Sequence, residues 1–112
     1  MSRREVLRLR DIRDAIATIR AHIAAGSFDR KTSDAVLYNL VVIGEAAAQI
    51  SDETRARASE IPWIKVVGLR NLIAHKYFRV DLEVIHAIVS EQLDQLDETA
   101  DRLMNEDDEP AV

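Results

Sequence analysis

Apolar residues recur at alternating steps of three and four positions along most of the chain, and that spacing admits one kind of fold. Leu9, Ile12, Ile16, Ile19 and Ile23 open the pattern. Val36, Leu40, Ile43, Ala47 and Ile50 repeat it, and Leu82, Ile85, Val89, Leu93, Leu96, Ala100 and Leu103 close it. A helix turning about 100° per residue gathers each set on one face, whereas a strand would scatter it over both. No strand-like alternation, internal repeat or glycine-rich phosphate loop interrupts the series. Each striped helix must bury its apolar face against others, so the pattern predicts an all-α, antiparallel up-down bundle of four long helices plus a short one.

Punctuation between the stripes sets the expected boundaries. The first helix is expected from about Glu5 to Ala25, with Gly26 ending it. Asp29 to Thr32 form a polar connection. Ser51 is placed to cap a short polar helix, Pro62 falls at the first turn of the next, and Asp81 is placed to cap the last. After Met104 the run Asn105-Glu106-Asp107-Asp108-Glu109-Pro110 is too acidic to pack. The expected organisation is therefore one domain over residues 1–104 and an acidic disordered tail over 105–112.

Composition narrows the function classes. With no cysteine in 112 residues, disulfides and thiolate metal sites are excluded, and the chain suits a reducing cytoplasm. No Glu-x-x-His pair or histidine cluster offers a metal site, and no apolar run reaches membrane-spanning length. The net charge of −5 argues against a nucleic-acid partner, but its distribution does not. Every charge between Pro62 and Val80 is basic (Lys65, Arg70, Lys76, Arg79), whereas the end from Glu91 is almost wholly acidic. Arg3, Arg4, Arg8, Arg10 and Arg13 crowd the first helix, where an ion-paired, solvated face is the ordinary reading.

The chemistry-bearing stretch is Arg70-Asn71-Leu72-Ile73-Ala74-His75-Lys76-Tyr77. It offers a fixed cation, a group that transfers protons near neutral pH and a nucleophilic phenol. On an ideal helix Arg70, Asn71, His75 and Tyr77 fall on roughly one half of the circumference, opposite Val66, Leu69, Leu72 and Ile73. Asn71 and His75, four apart, can meet. Arg70 and His75 lie about 140° apart, too far for one straight helix to bring both onto one phosphate easily. Spacing alone is also met by an amphipathic helix with ordinary solvated side chains. Upstream, Gly44, Ala46, Ala47 and Ala48 are small enough for another helix to approach closely. Glu45 among them is either an exposed marginal carboxylate or an acid that pairs with Arg70.

The run from Ile61-Pro62-Trp63 through Gly68-Leu69-Arg70-Asn71 to His75-Lys76-Tyr77-Phe78, with Val80-Asp81-Leu82-Glu83 after it and Ile43-Gly44-Glu45-Ala46-Ala47 before it, resembles the HepT family of the HEPN superfamily. These are small all-helical ribonuclease toxins. The matching signature is Arg-x4-His-x-Tyr, and the resemblance covers most of the chain. Lys76, Arg79 and His86 depart from the family's usual acidic residue, glycine and aromatic. The resemblance implies RNA cleavage without a metal or cofactor, with Arg70, Asn71 and His75 catalytic and Glu45, Lys76 and Arg79 supporting or binding substrate. It also implies an MNT-type nucleotidyltransferase antitoxin that adenylylates Tyr77.

Two other readings stay open on the residues: a helical module that binds RNA or a nucleotide without turnover, and a structural bundle with a coincidental motif. A homodimer is expected, because the Arg70–His75 mismatch, the small residues of the second helix and apolar Trp63, Ile64 and Val67 would all be resolved by a twin chain.

Overall fold

A computed structural model describes residues 1–76 and 81–108. The described residues form α1 (Arg3–Ala24), α2 (Arg30–Ala47), α3 (Asp52–Ala56), α4 (Trp63–Lys76), α5 (Leu82–Glu91) and α6 (Leu93–Asp108). Their starts are written in the sequence. Ser2 and Glu5 make a reciprocal capping box at α1, and Asp29, Ser51 and Asp81 accept the backbone N–H of Thr32, Thr54 and Glu83 at the next starts. Asp29, expected only in a connection, is therefore the cap of α2.

Long-range contacts fix the antiparallel order. The Glu5 carboxylate near the start of α1 accepts the Ser51 N–H just beyond α2, at 2.7 Å. Arg13 meets Asp97 and Asp101, while Arg20, two turns later, meets Asp94 and Asp97, so α6 runs back along α1. Gly44 of α2 lies against Val66 and Arg70, whereas Leu37 and Val41 border Ile73 and Ala74, so α4 runs back along α2. The core between them is built from Leu9, Ile12, Ile16, Ile19, Val36, Leu40, Ile43, Ile85 and Leu103, all essentially inaccessible to solvent. Burying each such side chain contributes about 1.5–3 kcal/mol, far more than any surface pair here.

Three expectations need correction. The single last helix is two: a break at Gln92, whose φ widens to −112° while the backbone stays right-handed, separates α5 from α6. The arginines of α1 draw α6 onto their own helix, while His86 of α5 meets the edge of Phe28 in the α1–α2 connection. The chain also stays helical beyond Met104, because Glu106 receives Arg57 at 2.8 Å and Arg102 at 3.0 Å. Trp63 is buried, its indole N–H donating to the Ala58 carbonyl, so it is not available to a twin chain.

Candidate ribonuclease site

The motif helix α4 is anchored at both ends of its apolar side. Trp63 and Ile73 are buried, and the Pro62 carbonyl accepts the N–H groups of Lys65 and Val66. Its place against α2 depends on Gly44, the position where a side chain is least tolerable. A β-carbon there would stand 3.0 Å from the Arg70 nitrogen, 3.2 Å from the Arg70 β-carbon and 3.2 Å from the Val66 carbonyl. The small residues of α2 thus admit a helix of the same chain, which corrects their expected use at a dimer interface.

This close approach sets Arg70 beside Glu45. The Arg70 Nη1 lies 3.4 Å from Glu45 Oε2, with the two side chains 35% and 53% exposed. The contact is longer than a typical charge-assisted hydrogen bond of about 2.7–2.9 Å, and both partners keep water. Glu45 is therefore both marginal and paired with Arg70.

Asn71 and His75 are exposed on the next turns of α4. In the free protein no side-chain hydrogen bond or ion pair within the described residues engages either, so any Asn71–His75 contact forms only when RNA is bound. Arg70 leans toward α2 while His75 faces solvent, so the angular separation read from the sequence persists in the fold. Lys76 closes the helix. Tyr77 and Arg79 lie outside the described residues.

Glu5 and Arg13 are committed to structure. Burial pushes the Glu5 carboxyl up, but hydrogen bonds from Ser51, Ser2 and Thr54 outweigh it and hold the group at about 2. Hydrogen bonding to Asp97, ahead of the opposing desolvation, raises the Arg13 guanidinium above its ordinary value. No group of three or more His, Asp or Glu suited to a metal ion occurs among the described residues. No helix there is long and apolar enough to cross a membrane.

Sequence reasoning passed over Glu5 and Tyr38. A Ser-x-x-Glu run at the chain start was the available signal for Glu5. For Tyr38 it was a phenol two helical turns before Glu45 on one stripe of α2.

The described residues thus form an all-helical bundle that presents an arginine and a solvent-facing histidine from one helix. A family model described as Ribonuclease HepT-like matches residues 8–103, and the chain belongs to that family. A Thermococcus cleftensis protein named as a ribonuclease HepT is 34% identical over 93 residues, 79% of this chain and 84% of that protein. A Methanocaldococcus jannaschii protein with an RNase name is 39% identical over 62 residues, 55% of this chain and 57% of its own length. A third, from Caldanaerobacter subterraneus and also named as an RNase, is 27% identical over 86 residues, 72% of this chain and 77% of that protein. No solved structure matches.

Proposed function

We propose that this protein is a metal-independent endoribonuclease of the HEPN type and the toxin of a toxin–antitoxin pair. The observation that carries the reading is the exposed His75 and half-exposed Arg70 on one helix of a chain in the HepT-like family. The ribose 2′-hydroxyl attacks the adjacent phosphorus as His75 takes its proton. The P–O bond to the 5′-oxygen breaks as His75 passes the proton it has taken to that oxygen, giving a 2′,3′-cyclic phosphate and a 5′-hydroxyl end. Arg70 stabilises the charge that builds on the phosphate oxygens, and Asn71, four residues before His75, holds the imidazole. Glu45 orients Arg70 until phosphate displaces it, and Lys76 and Arg79 add positive charge for the RNA backbone. No cofactor enters these steps.

Purified protein should cleave single-stranded RNA in the presence of a chelator, and His75→Ala should lose at least about 100-fold in rate while melting at nearly the wild-type temperature. Normal cleavage by that variant would sink the assignment.

Two partner readings accompany the proposal. A homodimer would bring a second motif helix into the same cleft, and the separation of Arg70 from His75 on one helix supports it. So do Ile64 at 85% exposure and the apolar groove of Leu69, Leu72, Val84 and Ile88. A monomeric mass by light scattering would refute it. An MNT-type nucleotidyltransferase antitoxin would adenylylate Tyr77, placing a bulky anion two residues from His75. After co-expression with such an enzyme, intact mass should rise by whole adenylyl units in the wild type and stay constant in Tyr77→Phe. An unmodified wild type would leave inhibition to simple complex formation.

A further inference from the structure

The groove between α2 and the motif helix contains a side chain that the cleavage chemistry does not use. Tyr38 is 69% exposed, whereas Trp63 is buried and Phe28 is half-buried against the core. In a chain with five aromatic residues (one Trp, two Tyr and two Phe), a phenol ring left in water at this place calls for a partner. It borders an apolar groove of about 410 Å³ with Leu37, Val41, Ile73 and Ala74, and with Asp34 at the rim. Ile73 and Ala74 belong to the motif helix, between Arg70 and His75. Tyr38 and Glu45 are seven residues apart on α2, so they share a face at about 10 Å along the axis. Glu45 marks the position of Arg70.

We propose that Tyr38 is a base-stacking platform of the RNA site. The base one or two nucleotides from the phosphate held by Arg70 lies on the phenol ring, with Ile73 and Ala74 beneath it. This inference rests on the ribonuclease reading and names how that site grips its substrate. A single-stranded nucleotide separates naturally into an anionic backbone and an apolar-faced base, and the two halves of this surface match that division. Arg70 attracts the phosphate. The apolar groove offers the backbone nothing, and the negative charge of Asp34 beside it repels phosphate. Stacking on tyrosine is tolerant of base identity, so Tyr38 contributes affinity and register rather than a strict sequence.

The test compares wild type, Tyr38→Phe, Tyr38→Leu and Tyr38→Ala on one short, mixed-sequence single-stranded RNA. Cleavage gives KM and kcat. Binding is read on the same sequence made with 2′-deoxyribose, which cannot be cleaved, carrying 2-aminopurine at successive positions. Tyr38→Ala should raise KM and Kd about tenfold, with kcat within about twofold of wild type, and Tyr38→Phe should match wild type. Tyr38→Leu fills the groove without a π face and should resemble Tyr38→Ala. Quenching of 2-aminopurine at one position should be present in wild type and Tyr38→Phe and absent in the other two. If wild type cleaves and all variants share its KM and Kd, the stacking role is overturned while the ribonuclease reading stands. Failure of wild type to cleave any RNA overturns both. Loss of dimer mass or of antitoxin binding at unchanged KM assigns Tyr38 to a protein interface and overturns the stacking role.

Discussion

The two long sides of the bundle treat their arginines in opposite ways. Between α1 and α6, Arg13 is held by Asp97 and Asp101 at 3.0 and 2.9 Å, and Arg20 by Asp94 and Asp97. Between α2 and α4, Arg70 has one carboxylate partner among the described residues, Glu45, at 3.4 Å. A guanidinium forked onto two carboxylates has its charge offset and its fork engaged. One with a single long contact can exchange that contact for a phosphate. The same residue type therefore serves as a clasp on one side and as a binding group on the other, and the number of nearby acceptors decides which.

Exchanging the roles of the two arginines is the largest expected effect. Arg70→Ala should cut RNA cleavage by about 100- to 1,000-fold, the range for losing a charge-stabilising donor, with little change in melting temperature. Arg13→Ala should do the reverse, leaving cleavage near wild type and costing about 1 kcal/mol of stability by denaturant titration. Equal loss of activity in both would erase the contrast.

A subtler break leaves Arg70 in place and moves its backbone. Gly44→Ala puts a methyl group into the tight contact with Arg70 and Val66. Overpacking of this kind costs about 1–3 kcal/mol, and the shift of α4 should lower cleavage along with stability. Ala48→Gly, at the C-cap of the same helix but outside that contact, supplies the control. A Gly44→Ala protein with wild-type stability and cleavage would show that α4 is free to move.

The smallest effect on cleavage lies away from both sides, at Glu5. Its carboxylate ties the start of α1 to Ser51 at the start of α3, so Glu5→Gln should cost about 2 kcal/mol at neutral pH, with cleavage by the folded protein unchanged. Because the folded-state value of about 2 is below the ordinary 4.5, the ionised carboxylate stabilises the fold fully above 4.5. That contribution fades as pH falls from 4.5 toward 2. Wild type should therefore lose stability through this window faster than Glu5→Gln. Parallel curves for the two proteins would remove Glu5 from the acid response.

Much of this was legible in local spacing. The stripes through Leu9 to Ile23 and Val36 to Ile50 named core residues, and Ser51 and Asp81 were read as caps because a short acceptor before an apolar run has a local partner. Glu45 beside Arg70 was one of two readings. The break at Gln92 was not legible, since the apolar stripe continues across it. Trp63 was misassigned for a similar reason: a wheel projection gives the face of a residue, not the neighbour that covers it.

The sequence by itself determined that the chain is helical, where α3, α4 and α5 start, and that Arg70, Asn71 and His75 share one helix, because hydrogen bonding and side-chain periodicity act over three or four residues. Only the tertiary structure decided that Gly44 admits α4 of the same chain, that Arg70 meets Glu45 while Arg13 is spent on α6, and that Tyr38 stands beside Ile73 and Ala74. Those pairings join residues 22 to 88 positions apart. Helical periodicity fixes which side of each helix is apolar, but the partner on that side is selected by how the whole set of helices fills one core.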